Sequence, residues 1–255
     1  MAKSVTYFAV PGIPLIKPGD DLATVIGDAL KAAQFALTTG DIVVIAQKIV
    51  SKSEDRYVEL KRVVPSEKAH ALAKDIGKDP RFIEVVLSES DEVVRHRPNI
   101  MIVAHRLGYV MANAGIDQSN IQHTEGEERV LLLPKDPDGS AAALKAKLDA
   151  TFGADVGVII NDSFGRPWRN GVTGVALGVA GLPSLLDMIG APDMFGRPMQ
   201  VTEIAVADEI AAGASLLMGQ AAEGLPVVVV RGLSFSAASR PASALIRPRE
   251  RDMFR

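Results

Sequence analysis

The chain has no cysteine, which excludes disulfides, thiolate zinc sites, iron–sulfur clusters and a cysteine nucleophile. It also lacks any apolar stretch approaching the ~20 residues that cross a bilayer. The first ten residues carry one lysine and too short an apolar run for a signal peptide, so a cytoplasmic protein with no membrane partner is expected. There is no basic excess: the net charge is −3 and the isoelectric point about 5.9, which disfavours nucleic acid as a partner. The common signatures of nucleotide binding and of serine hydrolases, Gly-x-x-x-x-Gly-Lys-Ser/Thr, Gly-x-Gly-x-x-Gly and Gly-x-Ser-x-Gly, are all missing. The glycines at 171, 174, 178 and 181 have a helix-packing spacing instead. The four histidines, His70, His96, His105 and His123, lack metal-ligand spacing and read as surface or hydrogen-bonded residues.

What is present is an ordinary globular composition, 47% hydrophobic and 23% charged over 255 residues. A chain of that length buries roughly 70–75% of its unfolded surface. No repeat or linker interrupts it, so residues 1–255 are read as a single catalytic unit. Pro11, Pro14 and Pro18 hold residues 10–18 extended, leaving backbone groups free for a ligand. Asp20 or Asp21 should cap a helix ending near Gly40. A buried strand is expected over 41–46, with Gln47, Lys48 and residues 51–53 following it or along its extension. Helices should follow at 66–76 and 80–87, then short strands at 92–95, 99–104, 108–113 and 130–133. Further expectations are a turn at 134–139, a helix over 140–148, a helix over 206–218, a strand over 226–231 and a surface-bound or flexible tail over 234–255. Asp136 and Asp138 read as turn and capping residues, and Asp208 and Glu209 as a solvated helix face. The mixture predicts an α/β to α+β fold: a mixed sheet with flanking helices and an embedded β-rich subdomain at about 90–133.

The densest polar cluster follows the apolar run 157–160, where Asn161, Asp162 and Ser163 lead to Arg166, Trp168 and Arg169. Strand termini in α/β folds open onto clefts, and an acid there beside planar cations suits a polyphosphate held through a divalent ion. The stretch therefore reads as an active-site loop. The competing reading is a turn in which Asp162 bonds local backbone and the arginines form surface pairs. Other hard oxygen ligands are Asp117 with Asn120, and Gln220 after a helix. Magnesium and manganese need only one or two carboxylates besides phosphate and water oxygens.

Six ordered blocks carry a resemblance: Val10-Pro11-Gly12-Ile13-Pro14 with Pro18-Gly19-Asp20-Asp21-Leu22; Gln47-Lys48-Ile49-Val50-Ser51-Lys52; Ala112-Asn113-Ala114-Gly115-Ile116-Asp117-Gln118-Ser119-Asn120; Leu133-Pro134-Lys135-Asp136-Pro137-Asp138; Asp162-Ser163-Phe164-Gly165-Arg166-Pro167-Trp168-Arg169-Asn170-Gly171; and Val201-Thr202-Glu203-Ile204-Ala205-Val206-Ala207-Asp208-Glu209. In this order they resemble the coenzyme F420-0:L-glutamate ligase family across about residues 8–233. The resemblance implies a homodimeric, GTP- and Mg2+- or Mn2+-dependent amide ligase, with K+ as a further candidate ion. It would add L-glutamate to the carboxylate of the deazaflavin precursor F420-0 and extend a γ-linked tail. It also implies that Ile13, Pro14, Leu15 and Ile16 border the nucleotide and that Gln47, Lys52 and Asn120 contact it. Met218, Gly219, Gln220, Ala221, Ala222, Glu223, Gly224 and Leu225 would complete the pocket. Asp117, Asp162, Ser163 and Gln220 would hold metal. The chain departs from the family pattern at Gln47, often serine, at Ser163, often threonine, and at His105, where an acid is expected.

A carboxylate does not condense with an amine unaided, so transfer of the GTP γ-phosphate to give an acyl phosphate is the expected route, with Lys52 and Arg166 or Arg169 offsetting charge. No nucleophilic residue stands out. Two other classes fit the same acids: a metal-dependent phosphohydrolase, and a non-catalytic nucleotide- or deazaflavin-binding protein.

Overall fold

A computed structural model describes residues 3–121 and 128–254. The first half runs β1 (Thr6–Ala9), α1 (Leu22–Ala32), β2 (Ile42–Ala46), α2 (Gln47–Ser53), β3 (Tyr57–Glu59), α3 (Glu67–Ile76), α4 (Pro80–Ser88), β4 (Ser90–Arg97), β5 (Ile100–His105), β6 (Val110–Ala112) and β7 (Arg129–Leu131). The second half runs α5 (Pro137–Phe152), β8 (Gly157–Arg166), β9 (Arg169–Ala180), β10 (Leu186–Asp187), β11 (Glu203–Ile204), α6 (Val206–Met218) and β12 (Val227–Arg231). Among the described residues no helix is long and apolar enough to cross a membrane.

The main sheet has the order β1-β12-β2-β8-β9. Only β2 and β8 pair in parallel; the other neighbours are antiparallel. The central strands β2 and β12 and the first half of β8 read as near-continuous valine and isoleucine because both sheet faces are covered. Val43, Ile45, Val158, Ile160 and Val229 pack with α1 and α5. Ile42, Val44, Ile159, Val228 and Val230 pack with α6 on the other face. A second unit hangs from the sheet, in which β4, β5 and β6 form one small sheet and β3 and β7 another. The β-rich section expected at 90–133 holds most of these strands, but α3, α4 and Leu60 complete its core. Its packing therefore begins near Tyr57.

Three expectations need correcting. Residues 47–53 form a helix rather than a strand extension. The stretch 161–166 is the outer half of β8, which turns directly into β9 as a hairpin, so Asp162 and Ser163 stand on a strand and not in a loop. The helix α1 stops at Ala32, eight residues before Gly40. Three of the four helix-spaced glycines, Gly171, Gly174 and Gly178, lie in β9, and the last two of these do receive helices. A Cβ at Gly174 would overlap the Ala211 carbonyl of α6, and one at Gly178 the Pro137 carbonyl of α5.

Glu209 is exposed as expected, but Asp208 and Asp138 of those helices are turned onto backbone amides. Asp208 accepts a hydrogen bond from Ala176 N (2.9 Å), and Asp138 accepts from Val179 N (2.9 Å) and Ala242 N (2.8 Å). They satisfy amides of β9, an edge strand with an irregular register opposite Ile160 and Asn161. Burial pushes the Asp208 carboxyl above its ordinary pKa. Of the two readings of the tail, the described part is surface-bound: Arg240 N bonds Leu182 O at 3.1 Å, and Ala242 is buried.

Candidate active site at the sheet edge

Register alone gathers most of the site. Ala46 pairs with Asn161, Val10 N bonds Val227 O, and Ala46 N bonds Pro226 O. The exits of β1, β2 and the paired part of β8 and the entry to β12 therefore lie along one sheet edge. Residues 10–20, α2, residues 161–163 and residues 218–226 all start or end there, the edge where α/β sheets bind ligands. Within the first of these segments Ile16 is buried, while Pro14 and Leu15 are exposed. Its far end joins α2 through Gly19 N to Ser53 O at 2.9 Å.

The two aspartates converge through Gln47. The Gln47 Nε2 group donates to Asp117 Oδ2 at 2.7 Å, and the same amide lies close enough to Asp162 to favour its charged form. Ser51, one helical turn on, donates its hydroxyl to Gln47 Oε1 at 2.9 Å, which turns the amide nitrogen towards the acids. Lys48 Nζ lies 3.2 Å from Asp117 Oδ1. Asp117 comes from the hanging unit, where a backbone bridge to Leu131 fixes its chain. Burial first, and then the Asp117 charge, push the Asp162 carboxyl up to about 7. Burial also raises Asp117, opposed by Lys48 and Gln47. Lys48 offsets part of this paired negative charge, and a divalent cation between the two acids would offset the rest.

Around this pair, Lys52 Nζ donates to Asn120 O (2.8 Å) and Asn120 Nδ2 to Ala221 O (2.9 Å). Gln220 Nε2 donates to Ser163 Oγ (2.9 Å), and Ala221 N to Glu223 Oε2 (2.8 Å). Burial, then the neighbouring Lys48, lower the Lys52 pKa. Met218 is buried at the end of α6, Gly219 turns the chain with φ +70°, and residues 220–224 lie exposed over the edge, leading to Leu225.

The structure thus unites Gln47, Lys52, Asp117, Asn120, Asp162, Ser163 and Gln220. It does not bring Arg166 and Arg169 to them. Those two pair across the hairpin tip, and four residues of strand, about 13 Å at ~3.3 Å each, separate Asp162 from Arg166. His105 is fully buried against Glu89 and accepts from Leu107 N, so it faces no substrate space. His123 lies outside the described residues. Sequence reasoning missed Lys48, Ser51 and Asn161. The first two were legible as i, i+4 partners of Lys52 and Gln47 once the segment is helical. Asn161 is a buried amide in an apolar strand, donating to Ser215 Oγ at 3.1 Å with its Oδ1 unpaired.

Among the described residues no three His, Asp or Glu side chains cluster as metal ligands. A cation would rest on Asp117 and Asp162 and complete its shell with neutral oxygens, a donor set that suits magnesium or manganese.

Comparison with known proteins identifies the family. The family model described as F420-0:Gamma-glutamyl ligase matches residues 12–232. The coenzyme F420:L-glutamate ligase of Methanothermobacter thermautotrophicus is 44% identical over 98% of this chain and 99% of its own length. The enzyme of that name from Archaeoglobus fulgidus is 43% identical over 98% and 96%, and that from Methanocaldococcus jannaschii 41% over 95% and 94%. With the matched span taking in every residue gathered at the sheet edge, the chain belongs to the F420-0:Gamma-glutamyl ligase family.

Proposed function

We propose that this protein joins the amino group of L-glutamate to the carboxylate of F420-0, with GTP as the co-substrate that activates the carboxylate. The observation that carries the reading is the approach of Asp117 and Asp162 to one another beside Gln47, from two separately packed parts of the chain, at the sheet edge where α/β folds bind ligands. Relatives named coenzyme F420:L-glutamate ligase over nearly their full length support the choice of substrates.

The chemistry balances in two steps. A carboxylate oxygen of F420-0 attacks the γ-phosphorus, the bond from that phosphorus to the β-bridging oxygen breaks, and GDP leaves with an acyl phosphate in place. The glutamate amine then attacks the acyl carbon, inorganic phosphate departs with the bonding pair, and the amine gives up its proton. In this scheme Asp117 and Asp162, with Ser163 and Gln220 beside them, would hold Mg2+ or Mn2+, which neutralises charge on the phosphates. Lys52, desolvated and tied to Asn120, would point its charge at the transferring group. Residues 13–16 and 218–225 would flank the nucleotide, and Arg166 and Arg169 would act from the hairpin tip on the acceptor. No side chain needs to become covalently modified.

The test is mass spectrometry of F420-0 incubated with GTP, manganese and glutamate. One added glutamyl residue supports the ligase, and a ladder of them supports tail extension. Phosphate release independent of glutamate would favour a phosphohydrolase instead. A homodimer belongs to the same proposal. The arm between β10 and β11 exposes Ile189, Met194, Phe195 and Val201, an apolar surface that a second copy would cover. Sedimentation should then report twice 27.0 kDa, and a monomer at micromolar concentration would exclude it.

A further inference from the structure

The hairpin tip holds a residue in the wrong conformation for its kind. Pro167 and Trp168 form the two-residue turn between Arg166 and Arg169, and Trp168 has φ +58°. A proline-led turn with positive φ at its second central position favours glycine or asparagine there. A bulky side chain carries a steric cost in that region, where its Cβ crowds the following carbonyl oxygen. Nothing in the core recovers that cost, because Trp168 is 82% exposed. Strain of this kind points to a use.

The surroundings indicate what the use is. The ring of Phe254, itself 56% exposed, lies 4.9 Å from Trp168 at 57°, which makes an open aromatic notch. The Arg247 guanidinium stands 5.5 Å over the Phe254 ring. Among the described residues none of Arg166, Arg169 and Arg247 has a carboxylate at ion-pair distance. Exposed rings rimmed by unpaired guanidinium groups suit a planar anionic aromatic compound. They suit a two-fold contact between copies poorly, since an isologous interface would set like charges against one another.

We propose that Trp168 and Phe254 are the platform on which the deazaflavin head of the acceptor stacks, with Arg166, Arg169 and Arg247 holding its negative charge. The inference rests on the ligase reading and adds an acceptor subsite to it. The strand that leads into this turn, β8, carries Asp162 four residues before Arg166. An elongated acceptor lying along the hairpin would therefore present its far carboxylate to the phosphate site while its ring rests at the tip.

The variant Trp168→Gly tests this, because it relieves the positive φ while removing the ring. Its thermal stability should equal or exceed that of the parent. Its KM for F420-0 should rise about tenfold, the usual scale of one lost stacking contact, with KM for GTP and kcat within twofold. Trp168→Phe should recover part of the affinity. Because Trp168 is the only tryptophan, protein emission should be quenched by F420-0 added without GTP. An unchanged KM for F420-0 in Trp168→Gly would overturn the platform and leave the ligase reading standing, as would a variant that turns monomeric with acceptor affinity intact. If the unmodified protein neither quenches nor shifts deazaflavin anisotropy, both ideas fall together.

Discussion

At the scale of single residues, Gln47 explains how two acids can be held close. Its amide donates to Asp117 and lies beside Asp162, and Ser51 fixes which way it faces. Outer contacts that orient ligands typically set metal affinity by about 10–100-fold. Gln47→Leu is expected to weaken manganese binding by that factor, measured by titration calorimetry, with little change in melting temperature; equal affinity would remove Gln47 from the site. Several of these residues were legible early. Asp117, Asp162, Ser163, Asn120 and Gln220 stood out as hard oxygen groups beside apolar runs. Their meeting was not legible, because it depends on β2 pairing with β8 and on a backbone bridge between Asp117 and Leu131. Neither contact leaves a mark in local sequence.

At the scale of elements, local signals performed unevenly, and the reasons are physical. The bounds of α6 were predicted to the residue, since alanine-rich helical spacing and Gly219 mark both ends. Pro65 with Ser66, and Pro80, likewise announced α3 and α4. By contrast, Gln47 to Ser53 follows a strand without any capping side chain, so nothing signalled a helix. Asp208 was read as solvated because its partner, an amide of β9, is 32 residues away. That contact makes a prediction. Asp208→Ala leaves the Ala176 amide without its acceptor, which should cost about 1–3 kcal/mol in urea unfolding. A loss below about 0.3 kcal/mol, within ordinary surface variation, would show that water serves as well.

At the scale of the whole molecule, a small charged knot ties the hanging unit to the chain segments that enter and leave it, at Arg56 and Leu133. Glu89 receives Arg56 at 3.0 Å and Arg106 at 3.1 Å, with His105 Nε2 at 3.6 Å, while Arg56 Nε also donates to Leu133 O at 2.9 Å. Although burial alone would raise it, the hydrogen bonds and guanidinium charges hold the Glu89 carboxyl down at about 2, against an ordinary 4.5. The folded pKa is depressed, so the stabilisation is complete above about pH 4.5 and disappears as the pH falls from there to 2. Glu89→Gln should therefore flatten the acid limb of a stability-against-pH curve and lower stability at pH 7 by a few kcal/mol, about 3 at most for a shift of this size. An acid limb identical to the parent's would remove Glu89 from that role.

The two acids come from different bodies: Asp162 from the central sheet and Asp117 from the unit beginning near Tyr57. A metal seated between them would act as a clasp across the join, so chelation should loosen the molecule along that line and not only silence it. Amide exchange in α2 and around residues 116–121 would then quicken while the cores of β2 and β12 stay protected.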